Sequence, residues 1–208
     1  MIESLIVLTP TRDKFRGCRW SVHAVHAAAR LLSLDVEYYE LDRRSLIECR
    51  NDLLELVKQA HPQEDSLRLF WLDDDVLVPN SEDLANFLYN AENLHYNLVA
   101  PYRTIQPTCI VHGVENWSEG KCTCTFSYCH KPDEPSMYTR EEVSKLKPFA
   151  QIEFAGLGCY FGEMPLNYKF RLTPEGEQTE DLNFFVDHPE IVIRHYPLKL
   201  RHLKERPL

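Results

Sequence analysis

The stretch LFWLDDDVLV, from Leu69 to Val78, places three consecutive aspartates inside an apolar run. Such a run predicts a buried strand with the acids near its carboxyl end. Adjacent carboxylates repel one another and lose hydration when they are buried. Because residues 69–79 contain no Lys or Arg, we expect a bound divalent cation to compensate them.

The spacing of the three acids indicates which of them act together. Side chains alternate between the two faces of a strand, so Asp73 and Asp75 are predicted on one face and Asp74 on the other. The resulting Asp-x-Asp pair offers hard oxygen ligands, which suit Mg²⁺ or Mn²⁺. Mg²⁺ in particular is bound through one or two carboxylates together with substrate phosphates. The sequence therefore predicts a metal site that takes a phosphate ligand.

Composition narrows the class of protein. The chain has 208 residues, 44% hydrophobic and 26% charged, which predicts one globular domain over residues 1–208. The net charge of −9 argues against broad binding to nucleic acid or anionic membranes. No apolar run approaches 18 residues and the N-terminus lacks signal-peptide features. We therefore expect a cytoplasmic protein without a membrane span, whose seven cysteines are reduced.

Much of the chain alternates strand and helix patterns, and Ser45 with Glu48 fits a capping box at the start of one helix. Strands are predicted at residues 4–9, 35–41, 67–72, 97–101 and 191–193, and helices at residues 20–34, 45–60, 80–92 and 177–186. This alternation predicts an α/β domain with a mostly parallel sheet. Ligands bind such sheets beyond the carboxyl ends of the strands, where residues 9–12 and the aspartates fall.

The pattern weakens over residues 103–151, which we predict to form an irregular β insertion. Four possible zinc ligands lie within it: Cys122, Cys124, Cys129 and His130. Their spacing lacks a Cys-x₂-Cys pair and fits buried thiols or a disulfide better than a zinc site. The glycines of Gly156-Leu157-Gly158, just beyond the insertion, would let the backbone approach a ligand closely.

Five segments carry polar or glycine residues at the boundaries of predicted elements. Each of them follows a predicted strand, begins a predicted helix or comes last in the pattern of segments. In chain order they are Thr9-Pro10-Thr11-Arg12, Asp73-Asp74-Asp75, Gly156-Leu157-Gly158, Glu180-Asp181 and His202. This order resembles the GT-A class of glycosyltransferases, in particular small microbial or viral members. The resemblance covers roughly residues 4–202. It implies a Rossmann-like three-layer sandwich with a small β insertion, a nucleotide-binding half over residues 1–102 and an acceptor half over residues 103–208.

The resemblance also implies a metal site and a donor. Asp73 and Asp75 would bind Mn²⁺ or Mg²⁺ with His202 as third ligand, and His195 is the alternative histidine. The metal would hold the diphosphate of a nucleotide-sugar, with UDP and GDP sugars equally possible. The residues implied around this donor are Thr9, Pro10, Thr11, Arg12, Glu40, Asp42, Arg50, Asp73, Asp74, Gly156 and Gly158. Without the resemblance, Arg50 would be expected to pair with Glu55 along its helix or to face solvent.

The catalytic carboxylates implied by the resemblance are Asp181, as general base in inverting members, and its neighbour Glu180. Judged on position alone, both could simply place negative charge at a helix N-terminus. The short spacing from Asp181 to His202 predicts a brief helix between them. Sequence leaves the acceptor open among glycans, proteins and lipids, and the basic segment over residues 194–206 could touch an anionic surface.

Three other functions remain possible at this stage. A phosphatase would use Asp73 as nucleophile and Asp75 as acid, although that pattern belongs at the end of a first strand. A nucleotidyltransferase would need a glycine-rich basic loop after the first strand, and residues 10–14 contain no glycine. A catalytically inactive interaction protein with the same fold is the non-enzymatic alternative.

Overall fold

The computed structural model describes residues 3–11, 18–42, 45–102, 124–129, 137–172 and 179–202. The predictions for Arg12, Cys122 and His130 lie outside these ranges. The strands are β1 Ser4–Thr11, β2 Asp35–Asp42, β3 Ser66–Leu72, β4 Val76–Leu77, β5 Asn97–Val99, β6 Cys124–Cys129, β7 Met137–Thr139, β8 Gln151–Ile152, β9 Phe154–Ala155, β10 Cys159–Pro165, β11 Ile193–His195 and β12 Arg201–His202. The helices are α1 Cys18–Leu31, α2 Leu46–Ala60, α3 Ser81–Asn93, α4 Arg140–Lys145 and α5 Glu180–Asp187.

The predicted α/β class is confirmed by a seven-stranded mixed sheet of order β2-β1-β3-β10-β5-β11-β8. Five of these strands run parallel, and β10 and β8 run antiparallel to their neighbours. The central strands are apolar along their length because both faces of the sheet are covered. Leu5, Val7 and Leu8 of β1, for example, are fully buried.

Helices cover both faces of this sheet. The chain moves from β1 to β2 in one direction and from β2 past β1 to β3 in the other, and right-handed crossovers then place α1 and α2 on opposite faces. Two separate apolar clusters reflect this division. One contains residues of α1 and α3, such as Val25 and Leu84, and the other contains residues of α2 and α5, such as Leu53 and Phe184.

The helix starts follow from local sequence. The Ser45 side chain accepts a hydrogen bond from the backbone of Glu48, as predicted, and Asn80 caps α3 by accepting from Glu82 and Asp83. Helix α5 is capped by Thr179 and is eight residues long, in agreement with the brief helix predicted there.

Several predicted boundaries are wrong in detail. The helix expected at residues 20–34 is α1, Cys18–Leu31, and the strand expected at residues 97–101 is β5, Asn97–Val99. The strand expected at residues 191–193 is β11, at Ile193–His195. The three aspartates do not continue the strand, because β3 ends at Leu72 and Asp73 begins a turn closed by a hydrogen bond from Val76 N to Asp73 O of 3.0 Å. Strand alternation therefore does not decide which way Asp73, Asp74 and Asp75 point.

Two small sheets complete the described structure. Strands β7, β6 and β9 form an antiparallel sheet where an irregular β insertion was predicted, and β12 pairs antiparallel with β4. Within the described residues, no helix combines the length and apolar character needed to cross a membrane.

Candidate functional site

The site lies at the carboxyl edge of the parallel strands, at the turn that follows β3. In open α/β sheets, ligands bind beyond this edge. Helices α1 and α3, which follow β1 and β3, pack on one face of the sheet, and the site lies toward the opposite face, which α2 and α5 cover. Helices α2 and α5 each precede a parallel strand and run back along the sheet, so their N-terminal turns reach the same edge.

A buried arginine, Arg50 of α2, occupies the centre of this edge. Its side chain is 1% exposed and approaches three carboxylates. The Nη1 atom lies 2.5 Å from Asp181 Oδ1, Nη2 donates a hydrogen bond of 3.4 Å to Asp73 Oδ1, and Nε lies 3.9 Å from Glu180 Oε1. Arg50 thus joins the turn after β3 to the first turn of α5.

This placement corrects two expectations from sequence. Arg50 is not on a solvated helix face, because it is fully buried, and its ion-pair partners come from other elements rather than from Glu55. Asp73 is compensated in this structure by Arg50, a cation that is distant in sequence, whereas a metal was expected. The absence of Lys and Arg near residues 69–79 could not exclude a cation supplied by another helix.

Two aromatic rings pack against one side of the guanidinium. The Arg50 Cζ atom lies 5.4 Å from the centroid of Trp71 and 5.6 Å from that of Phe170. The two rings meet edge to face, with centroids 5.7 Å apart. A guanidinium is attracted to the faces of such rings, and their apolar surface keeps water away from it. The charge–charge contacts of Arg50 therefore act in a poorly solvated place.

The three carboxylates lie on the solvent side of Arg50, and each is slightly exposed. The exposed fractions of their side chains are 17% for Asp73, 11% for Glu180 and 15% for Asp181. Asp181 is further fixed because its Oδ2 accepts a hydrogen bond of 3.2 Å from the backbone N–H of Leu157. The site therefore presents acids outward and keeps its cation inside.

Hydrogen bonding within this cluster is incomplete. Although Arg50 Nη1 and Asp181 Oδ1 are in close contact, their angle is not that of a hydrogen bond. Within the described residues, Nε and Nη1 of Arg50 and Oδ1 of Asp181 are buried without an aligned partner. Buried polar atoms normally have one, so these atoms mark a place where a ligand or a small rearrangement would improve the bonding.

Charge and burial together set the proton affinities. Burial raises the pKa of Asp181 to about 7, Arg50 opposes this rise, and the nearby carboxylates of Glu180 and Asp73 add to it. Burial acts to lower the pKa of Arg50, but Asp181, Asp73 and Glu180 outweigh it, so the pKa of Arg50 is raised. Three acids around one guanidinium leave excess negative charge, which is why a carboxyl pKa can rise beside an arginine.

Gly158 allows the chain just before β10 to approach Asp73 and Tyr102 closely. Its carbonyl accepts from Asp73 N at 3.0 Å and its N–H donates to the Tyr102 hydroxyl at 3.3 Å. A Cβ at this position would lie 2.5 Å from Tyr102 Oη and 2.8 Å from Asp73 Oδ2. The close approach predicted for this glycine is therefore to Asp73 and Tyr102. No comparable contact involves Gly156 among the described residues.

The other residues predicted to hold a nucleotide lie farther along the same edge. Thr9 and Thr11 are buried at the end of β1, and Thr9 Oγ1 is 2.8 Å from the Tyr38 hydroxyl. Their register partners on the outer strand β2 are Glu40 and Asp42, which are exposed. These residues and Pro10 share an edge with the Arg50 cluster, but they do not contact it in the described structure.

The two histidines predicted as possible metal ligands, His202 and His195, lie in different parts of the structure. His202 lies opposite Val76 in the β12–β4 pair, so its backbone runs beside the aspartate turn; its side chain lies outside the described structure. His195 is buried on β11, three strands from β3 and so about 14 Å away at ordinary strand spacing. Its Nδ1 is 3.1 Å from the Tyr128 hydroxyl. His195 is therefore wrong as an alternative ligand for the aspartates.

The donor set of the site determines whether a divalent cation fits. The described side chains contain no group of three or more His, Cys, Asp or Glu residues arranged to hold a metal. Mg²⁺, however, takes only one or two protein carboxylates when phosphates and water complete its shell. Asp73 and Asp75, in one exposed-edge turn, fit that smaller requirement. The side chains of Cys124 and Cys129 are outside the described structure, whereas Cys49 and Cys159 are buried and Cys49 Sγ donates to Leu41 O.

A cavity of about 440 Å³ lies on the α1 and α3 side of the same edge. It is lined by His23, Ala24 and Ala27 of α1 and by residues 77–79 and Ser81, which lead into α3. This lining is mostly apolar and contains none of the residues that contact Arg50. Its size is within the range of small-molecule sites.

Comparison with known proteins does not place the chain in a family. No family model matches it, and a search of curated proteins gives no match either.

Sequence reasoning missed Tyr102, Phe170 and the role of Asn51, which hydrogen-bonds the backbone of Phe170 in both directions. One pattern could have revealed the position of Arg50. The buried residues of α2 are Cys49, Arg50, Leu53, Leu54 and Val57, so Arg50 falls on the apolar stripe at helical spacing. A charged residue on such a stripe needs buried partners.

Proposed function

We propose that this protein transfers a sugar from a nucleoside-diphosphate sugar to an acceptor hydroxyl, with Asp181 as general base. The observation that carries the proposal is the cluster of Asp73, Glu180 and Asp181 around buried Arg50 at the carboxyl edge of the sheet. It joins two of the motifs on which the resemblance to GT-A glycosyltransferases rests. The order of the motifs along the chain and the mixed α/β sheet support the same proposal.

Asp181 has the properties that a base for a sugar hydroxyl needs. Its side chain reaches solvent, Leu157 and Arg50 fix its orientation, and burial raises its pKa to about 7. A base whose pKa lies near the working pH combines a useful ionised fraction with a strong tendency to accept a proton. Arg50 would stabilise the carboxylate before the proton arrives. The Glu180 carboxylate would place negative charge beside Asp181, which favours proton uptake by Asp181.

The donor diphosphate is proposed to lie by the aspartate turn. The outward-facing acids would repel a diphosphate, so a divalent cation held by Asp75, Asp73 and His202 is part of the proposal. When bound, Mg²⁺ or Mn²⁺ would neutralise phosphate charge and stabilise the departing nucleoside diphosphate. The register of His202 beside this turn supports including it. In this proposal Asp75 is a metal ligand, as the resemblance implies, and Asp73 also bonds Arg50.

Calorimetry tests the donor site directly. UDP and GDP are titrated into wild type, Asp75→Ala and Asp83→Ala, each with and without Mn²⁺. Asp83 is an exposed acid in the first turn of α3 and serves as the matched control. We expect binding that requires Mn²⁺, is lost in Asp75→Ala and is kept in Asp83→Ala. Failure of wild type to bind either nucleotide would contradict the proposal and favour the phosphatase or inactive-scaffold alternatives.

Turnover tests the base. Once the nucleotide is known, release of that nucleoside diphosphate from its sugar conjugates is followed in wild type and Asp181→Asn. We expect a loss of roughly 10²–10⁴-fold in the rate, as for removal of a general base, with nucleotide affinity kept. An Asp181→Asn protein with full turnover would show that Asp181 is only structural. Trapping of a phosphorylated Asp73 would instead assign a phosphatase.

A further inference from the structure

The residue that follows Arg50, Asn51, holds a separate segment of chain by its backbone. Asn51 Nδ2 donates a hydrogen bond of 3.1 Å to Phe170 O, and Asn51 Oδ1 accepts one of 2.7 Å from Phe170 N. A side-chain amide that bonds both backbone groups of one residue imitates a neighbouring strand. Asn51 therefore fixes the position and orientation of Phe170, which lies 119 residues farther along the chain.

Phe170 is the part of this segment that touches the site. Phe170 is 2% exposed, and the Arg50 guanidinium packs against both the Phe170 ring and the Trp71 ring, which also contact each other. The other contacts of the segment hold the same position: Asn183 Nδ2 donates to Arg171 O at 2.9 Å, and the Tyr168 ring meets Phe170 edge to face at 5.0 Å. Phe170 is thus fixed from two sides, by α2 and by α5.

These contacts matter because Arg50 itself is incompletely bonded. Within the described residues its Nε and Nη1 lack aligned hydrogen-bond partners, although Nη1 lies 2.5 Å from Asp181 Oδ1. Ion pairs with the acids and packing against the two rings therefore hold the guanidinium together. Without Phe170, water could reach the guanidinium and weaken its attraction to the acids.

We infer that Asn51 and Phe170 are positioning residues that hold the Arg50 guanidinium behind Asp73, Glu180 and Asp181. A role for these two residues in sugar transfer rests on the proposed function, whereas their effect on the position of Arg50 does not depend on it. In this view, consecutive residues of α2 have two tasks: Arg50 gathers the acids, and Asn51 places the ring that keeps Arg50 in line with them.

Nuclear magnetic resonance of the arginine side chains provides a test that does not require activity. The Nε–Hε resonance of Arg50 is assigned by its disappearance in Arg50→Lys, and its exchange with solvent is measured in wild type and Asn51→Ala. We expect the exchange to accelerate at least about tenfold in Asn51→Ala, because local opening becomes easier. The resonance should also shift in Phe170→Leu, which removes the ring but keeps the site apolar.

Asn97 gives a matched control. Asn97 also bridges backbone groups, accepting from Glu163 N at 2.9 Å and donating to Val192 O at 3.2 Å, but it is not part of the Arg50 cluster. Asn97→Ala should leave the Arg50 resonance unchanged. Unchanged exchange in Asn51→Ala, or equal acceleration in both variants, would overturn the inference. If Asn51→Ala does not fold, an unshifted resonance in Phe170→Leu overturns it instead.

Activity then separates this inference from the proposed function. If wild type transfers sugar, Asn51→Ala should lower kcat with little change in KM for the donor, and Asn97→Ala should leave kcat unchanged. A KM effect alone would contradict a role in holding the catalytic acids. If wild type shows no transfer, the proposed function fails, while the resonance measurements still decide whether Asn51 and Phe170 position Arg50.

Discussion

At the scale of single residues, Arg50 decides the character of the site. A guanidinium can be buried only where its charge is matched, and Arg50 meets three carboxylates from two other elements. Losing one partner of a buried ion pair costs far more than the pair contributes, because the remaining charges stay in a poorly solvated place. Arg50 therefore has a structural role whatever the protein catalyses.

Replacement of Arg50 tests this role. Arg50→Met should lower the free energy of unfolding by about 3–5 kcal/mol, measured by denaturant titration at neutral pH. Arg171→Met is the control, since Arg171 pairs with Asp187 through a side chain that is 53% exposed, and a surface pair contributes at most about 1 kcal/mol. Equal losses in the two variants would show that the Arg50 cluster is not buried as described.

Gly158 is the second residue whose identity is constrained. Gly158→Ala would place a Cβ 2.5 Å from Tyr102 Oη and 2.8 Å from Asp73 Oδ2, so either the Tyr102 ring or the aspartate turn must move. We expect a loss of about 1–3 kcal/mol, as for other overpacked sites. Thermal unfolding measures it. An unchanged midpoint would mean that β10 and the turn after β3 are not in close contact.

At the scale of elements, the first turn of α5 supplies two of the three acids that approach Arg50. Its N-cap is Thr179, and its first two residues are Glu180 and Asp181. The positive end of the helix dipole favours their charge, whereas burial raises the pKa of Asp181 to about 7. The helix is consequently anchored by a carboxylate whose protonation changes near neutral pH.

Asp181→Asn should therefore change how stability depends on pH. The folded pKa of about 7 lies above the ordinary 3.8, so the native state holds the proton more tightly and wild type loses this stabilisation as pH rises from about 4 to 7. The asparagine variant lacks that loss, so its stability relative to wild type should improve with pH, by at most about 1.4 kcal/mol per pH unit. Chemical unfolding at several pH values measures the difference. Parallel curves, or the opposite trend, would contradict the raised pKa.

At the scale of the whole molecule, one tyrosine connects the small sheet to the large one. Tyr128 of β6 is fully buried; its hydroxyl donates to Val99 O at 2.9 Å and lies 3.1 Å from His195 Nδ1. Because the hydroxyl has one proton, it must accept from His195 Nδ1–H, which fixes the tautomer of His195. Burial lowers the pKa of His195 to about 4, so His195 stabilises the fold above its ordinary pKa of 6.5 and this stabilisation is lost as pH falls toward 4.

Removal of this connection should loosen one part of the protein selectively. Tyr128→Phe leaves His195 Nδ1 without the Tyr128 hydroxyl and removes one of the hydrogen bonds of Val99 O, which still accepts from Tyr196 N at 2.9 Å, at a cost of about 1–3 kcal/mol. Hydrogen exchange should show faster exchange of the β6 and β9 amides than of those in β3. Tyr160→Phe is the control, because among the described residues the Tyr160 hydroxyl donates to the nearby Glu163 O. Similar exchange throughout both variants would contradict a specific role for Tyr128.

The sequence by itself determined the elements and the class of fold. Apolar runs, capping residues such as Ser45 and Asn80, and strand–helix alternation act over a few residues, and the α/β sheet follows from them. The sequence also indicated Asp73 and Asp181 as notable acids. Only the tertiary structure decided that both acids share Arg50 as a partner. It also decided that Tyr102 and Phe170 belong to the site and that His195 does not. These contacts join residues far apart in the chain, and their energies depend on burial and distance, which local patterns do not contain.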